Sequence, residues 1–188
     1  MKYKIIQPPF LNFRERSRKE LREYDRWYHT IIQERLALLV ECVRATTRFE
    51  SWEPDHSPES LDRLGYWFEG QVETRFRTQE EIDAILARSP YPIDVPAEEL
   101  TDKTFSLAYD VGFYISQCFI ANYQNVKWTQ VFGGKSNVDY GKPALAGFGG
   151  MEFEPVRMMI VLAYGISKGT KDGGQLREIY RIWARMVQ

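Results

Sequence analysis

Asp55, His56 and Ser57 stand side by side and supply all three residue types of a hydrolase triad. Adjacent residues cannot generally aim their side chains at one another in the required relay, because triads assemble from distant positions. Ser57-Pro58 reads instead as a helix start, with Ser as cap and Pro at the first helical position. A cysteine nucleophile needs a nearby base and an electropositive, partly exposed setting. Cys118 falls on the apolar stripe of a predicted helix, and Cys42 lies beside Val43 near the end of another. The histidine nearest to Cys42 in sequence is His29, thirteen residues away, or roughly 20 Å along a straight helix. Two histidines and two widely spaced cysteines give no zinc-type spacing. These residues assign no catalytic, metal or cofactor site.

Glycines and acids are the other chemical candidates. Gly147-Phe148-Gly149-Gly150, placed between a strand and a helix starting at Pro155, resembles a backbone cradle for an anion. Glu152 and Glu154 would stand at its mouth and repel phosphate, Pro155 removes a donor, and neither phosphate-loop fingerprint is matched. Turn chemistry is the reading these glycines support. Glu50, Glu53, Asp55, Glu59 and Asp62 form an acidic window with no Lys or Arg between Arg48 and Arg63, and Asp94, Glu98, Glu99 and Asp102 form a second. Acids favour helix N-termini through the macrodipole. The functional alternative is a surface complementary to a basic protein partner, with Glu50, Glu53, Asp55 and Glu59 as charges and Trp52 as aromatic anchor. Paired carboxylates for glycoside chemistry need two selected acids, and nothing in the sequence selects a pair.

The chain has 188 residues and a net charge of -1, with 44% hydrophobic and 14% aromatic content. A single domain covering residues 1–188 is expected, long enough to bury about 70% of its unfolded surface. Balanced charge argues against general nucleic-acid binding, which needs a positive surface to displace counterions. No apolar run approaches the ~20 residues of a membrane span. MKYKIIQPPF is broken too early by Pro8-Pro9 to read as a signal peptide. Reduced cysteines inside helices complete the expectation of a cytoplasmic protein.

The elements that must position any site follow from periodicity. Residues 2–6 could form a short edge strand. Ser17 and Glu20 match a capping box, and Leu21, Tyr24, Tyr28, Ile31, Ile32, Leu38 and Leu39 mark a long helix to about residue 44. Leu61, Leu64, Phe68, Val72 and Phe76 carry a second helix to about residue 75, and a second capping box, Thr78 with Glu81, starts a third. A proline-rich link over 89–96 ends this helical N-terminal part (1–88). In the second part (100–188), Leu107, Val111, Ile115, Cys118 and Phe119 define a helix capped by Thr101 or Asp102. Ala108, Gly112 and Ser116 form a row of small residues along it, inviting close approach by another element. The period changes after Asn122: residues 126–132 and 143–148 read as strands of an antiparallel meander. Helices from Pro155 and around Leu176 close the chain, although the run Met158–Ala163 is apolar enough for a buried strand. The expected class is α+β, several helices packed on a small, mostly antiparallel sheet.

The succession LAYDVGFYISQCFIANY, VKW, KPALAGF and FEPV over about residues 104–165 is similar to small uncharacterised bacterial proteins. In these a helix of the form Leu-Gly-x-x-x-Gly precedes a tryptophan strand, a Pro-x-Leu strand and a Pro-type helix start. Gly112 fits, whereas Ala108 and Ser116 stand where some of them have glycine. Some such proteins are encoded beside polymorphic toxins and look like immunity proteins, so the resemblance implies a binding role and supplies no catalytic residues. Three function classes stay open: an immunity-like inhibitor, an enzyme with a site assembled from scattered residues, and a structural or oligomerisation module. A deep pocket of convergent polar groups with shifted pKa values would favour the enzyme.

Overall fold

The computed structural model describes residues 3–188. Its longest helix, α1 (Arg18–Arg44), begins at the expected capping box: Glu20 N–H donates to Ser17 Oγ at 3.3 Å and Ser17 N–H to the Glu20 carboxylate at 2.8 Å. No strand forms over residues 3–6, so the expected edge strand is absent there, and Lys2 lies outside the described residues. This segment is instead tied down by side chains, as described below.

The second helix, α2 (Ser60–Glu69), is shorter than expected. Gly70 ends it, and Thr74–Phe76 becomes β1, paired antiparallel with β2 (Glu98–Leu100) in the register Thr74↔Leu100 to Phe76↔Glu98. Val72 and Phe76 continue the helical spacing by coincidence; backbone pairing across the two strands decides the conformation. Between these strands lies α3 (Gln79–Arg88), opened by the expected Thr78–Glu81 capping box.

α4 (Asp102–Asn122) is the centre of the fold. Thr101 caps it, its side chain accepting from Thr104 N–H at 3.2 Å. The sequence suggested one apolar stripe plus a row of small residues. From Ser106 to Ser116 every residue is buried, so α4 is packed on all sides. Gly112 shows why small residues are needed: a Cβ there would lie 3.2 Å from the Pro155 carbonyl carbon of α5 (Pro155–Ser167). Pro155 at the first position makes this segment a helix rather than a buried strand.

The meander forms as expected and gains a strand. β3 (Lys127–Gln130), β4 (Pro143–Phe148) and β5 (Met151–Phe153) pair antiparallel in that order. Gly147, at φ +115°, sits where the β4–β5 register shifts, a backbone state that only glycine adopts without strain. α6 (Gln175–Ala184) closes the chain. With six α-helices and two small antiparallel sheets among the described residues, the fold is α+β. Leu107, Val111, Ile115, Phe119 and Leu145 share one core with residues of α1, α2, α5 and α6, whereas Trp128 is only half-buried at its edge. No helix among the described residues is long and apolar enough to cross a membrane.

Candidate functional site

The residues of the first acidic window do not form one free acidic surface. Glu53 accepts from Arg44 at 3.2 Å, while Glu59 and Asp62 accept from Arg177 of α6 at 2.6 and 2.5 Å. Asp55 is occupied by its own turn, taking Ser57 N–H at 2.9 Å and Ser57 Oγ–H at 2.7 Å. Glu50 is exposed and has no ion-pair partner among the described residues. Trp52 corrects the expectation of a surface anchor: it is 1% exposed, packs against Tyr114 and donates from Nε1 to the Ser60 carbonyl at 3.0 Å. Its polar neighbours in sequence concealed a core residue, whose burial depends on where α2 and α4 lie.

The triad-like tripeptide is also resolved. Ser57 turns to Asp55, and the His56 ring packs on Tyr114 with centroids 5.4 Å apart. His29 lies against Trp128, and Cys42 and Cys118 are free thiols. Burial pushes the Cys118 thiol up to about 12, so it is not a nucleophile near neutral pH. Among the described residues, no group of three or more His, Cys, Asp or Glu side chains is placed to hold a metal ion.

Two other regions hold the functional possibilities. One is the arm over residues 74–100, made of β1, α3, the proline-rich link and β2. No residue of α3 is buried, and Phe76 and Tyr91 are 74% and 77% exposed, with Leu86 and Ile93 exposed as well. Strand pairing and ion pairs hold the arm in shape. Arg75 bonds to Glu81 at 2.6 Å and to Glu99, and Arg77 reaches Glu99 at 3.3 Å. The Glu81 carboxyl is held down at about 2, chiefly by the Arg75 side chain. Most of the second acidic window belongs to this arm. Six acids face three arginines over 74–100, and Glu80, Asp83, Asp94 and Glu98 make no ion pair among the described residues.

The other region is buried where α1 meets α4. Asp110 of α4 accepts from Arg35 of α1 at 2.7 and 2.8 Å, and the Tyr3 hydroxyl donates to the same carboxylate. Arg35 also donates to the Lys4 carbonyl at 2.6 Å, and Ile6 N–H donates to Ser106 Oγ at 2.9 Å. The network fastens the N-terminal segment to α1 and α4. Burial raises the Asp110 carboxyl to about 6 against the opposing pull of Arg35 and Tyr3, which leaves it ionised and paired at neutral pH. It is a structural lock. The legible signal was a single acid inside the apolar run LAYDVGF; its partner, 75 residues away, was not.

Nearby, Glu154 caps α5 by accepting from Val156 N–H at 3.1 Å and Arg157 N–H at 2.6 Å. It is 4% exposed, and burial pushes its carboxyl up to about 7. It borders a cavity of about 170 Å³ together with Tyr24, Tyr28, Tyr109 and Lys142. Such a carboxyl can donate or accept a proton near neutral pH. The cavity is lined mainly by apolar surface, with a few polar groups reaching it. Its other groups are largely committed to one another: Tyr24 Oη and Tyr109 Oη lie 3.0 Å apart, and Asp139 takes both Arg157 and Lys142. Among the described residues, no Ser or Cys lines it.

Compared with known proteins, the chain matches no family model, no curated protein and no solved structure.

Proposed function

We propose that this chain is a protein-binding module that recognises a basic protein through the arm over 74–100 and acts as an immunity-like inhibitor. One observation carries the reading. The arm displays Phe76, Leu86, Tyr91 and Ile93 to solvent on a segment whose helix buries nothing. Exposed aromatic and aliphatic side chains on a framework fixed by ion pairs are the ingredients of interface hot spots. The arm's surplus of acids gives the sign of the partner, since complementary charge steers encounter and suppresses wrong partners. The first acidic window contributes less, because Arg44 and Arg177 already neutralise three of its carboxylates and Trp52 is inside. The candidate catalytic side chains of the sequence are engaged elsewhere, which favours binding over catalysis.

The test is association with a purified basic protein encoded beside this chain's gene. Phe76→Ala with Tyr91→Ala should weaken binding by roughly 100-fold or more, as loss of two interface anchors does. Glu80→Lys with Asp83→Lys should slow association and reduce its dependence on salt. Glu53→Lys with Asp55→Lys should change the rate only a few-fold. Equal binding by the first double variant and wild type would remove the arm from the interface.

A further inference from the structure

Tyr28 is 1% exposed and lines the Glu154 cavity, yet its hydroxyl has no hydrogen-bond partner among the described residues. A buried hydroxyl without a partner costs free energy, so this atom is a place where something polar fits. A second feature adjoins it. A groove of about 580 Å³, bordered by Ile5, Ile6, Pro8 and Phe105, shares Leu11, Tyr109 and Ile160 with the cavity. The molecule therefore holds a small chamber that contains the Tyr28 hydroxyl, Glu154 and Lys142 next to a larger trough, both lined mainly by apolar surface, as suits a site for an amphipathic small molecule.

The charges select the head group. Lys142 Nζ lies 3.2 Å from Asp139, which also takes both prongs of Arg157 at 2.7 Å, so two cations share one carboxylate. The acid that lines the cavity, Glu154, spends its oxygens on the backbone amides of α5 and makes no ion pair among the described residues, while Asp102 lines the groove. We propose that the cavity and groove bind a medium-chain aliphatic monocarboxylic acid, its carboxylate held by Tyr28 and Lys142 and its tail laid along Phe105 and Ile160. An alkylammonium head would instead add a third cation to this cluster.

Protons are linked to such binding. The groups facing Glu154 are Lys142 and Asp139 from the loop before β4, Arg157 of α5, Tyr24 and Tyr28 of α1, and Tyr109 of α4. An incoming carboxylate disfavours ionised Glu154, whose carboxyl already sits at about 7 through burial. Binding therefore takes up a proton, after which the neutral carboxyl can donate to the ligand.

Calorimetric titration with octanoate tests the site. The expected result is one octanoate per chain, bound about tenfold more tightly at pH 6 than at pH 8 because one proton is taken up. Glu154→Gln, which fixes the neutral state, should lose that pH dependence, and Tyr28→Phe should weaken binding up to about tenfold, as loss of one hydrogen bond does. Ile160→Trp, on the groove wall, should abolish it. Circular dichroism checks that each variant folds. Independently of the variants, a shifted carboxyl resonance of carbon-13-labelled octanoate on the wild-type protein reports the same contact. No saturable binding by wild type, binding equal at the two pH values, or tighter binding of octylamine would each overturn the assignment. None of these outcomes bears on the arm.

Discussion

α4 and the arm are neighbours in sequence and opposites in construction. α4 is buried on every side over residues 106–116, with Asp110 locked to Arg35, while α3 in the arm buries no residue. The first region draws its stability from packing and from one satisfied buried ion pair. The second draws its shape from a capping box, a three-residue strand pairing and ion pairs at or near the surface, each of which is a small contribution in water. Stability and display are thus placed in different segments. A surface that must bury itself in a partner cannot already be buried in its own core.

The comparison is broken most easily at Asp110. Asp110→Ala leaves Arg35 buried without a counter-charge and should cost ~3–5 kcal/mol, measured by denaturant unfolding; a small loss would mean that water reaches the guanidinium. Ile115→Ala, in the same helix, should cost ~2–5 kcal/mol through a lost side chain and the cavity left behind.

Glu154 sharpens the account through pH. Its carboxyl is raised from the ordinary value of 4.5 to about 7 by burial. The folded state therefore holds its proton more tightly than the unfolded one. That contribution to stability is complete below about 4.5 and is lost as pH rises through about 7. Unfolding of Glu154→Gln should be flatter across this range than that of wild type, by on the order of 1–3 kcal/mol; parallel curves would place water beside the carboxyl. The smallest effect belongs to the arm. Phe76→Ala with Tyr91→Ala should leave stability within about 0.5 kcal/mol of wild type, as exposed substitutions do.

The same contrast explains what was legible in the sequence. Local signals served well: the Ser17–Glu20 and Thr78–Glu81 capping boxes, the bounds of β4, and the small-residue row of α4 all appear as expected. These depend on residues close in sequence. What escaped depends on distant partners. Trp52 reads as exposed among acids until Ser60 and Tyr114 are seen to enclose it. Arg44 and Arg177 neutralise a window that contains no base of its own. Residues 74–76 continue a helical spacing, and only pairing with residues 98–100 makes them a strand. Glu154 read as a charge repelling an anion, whereas burial raises its carboxyl to about 7 and makes it a helix cap.

The central claim is that the arm serves recognition and the body serves stability. Replacing residues 77–97 with an Asn-Gly turn joins β1 directly to β2 as a hairpin and deletes α3, Tyr91 and Ile93; Phe76→Ser removes the remaining anchor. The affinity of this shortened protein for the basic partner, measured after its melting temperature is confirmed, is the most direct measurement. The account predicts melting within a few degrees of wild type and loss of binding. Retained binding, or a body that no longer folds without the arm, would contradict it.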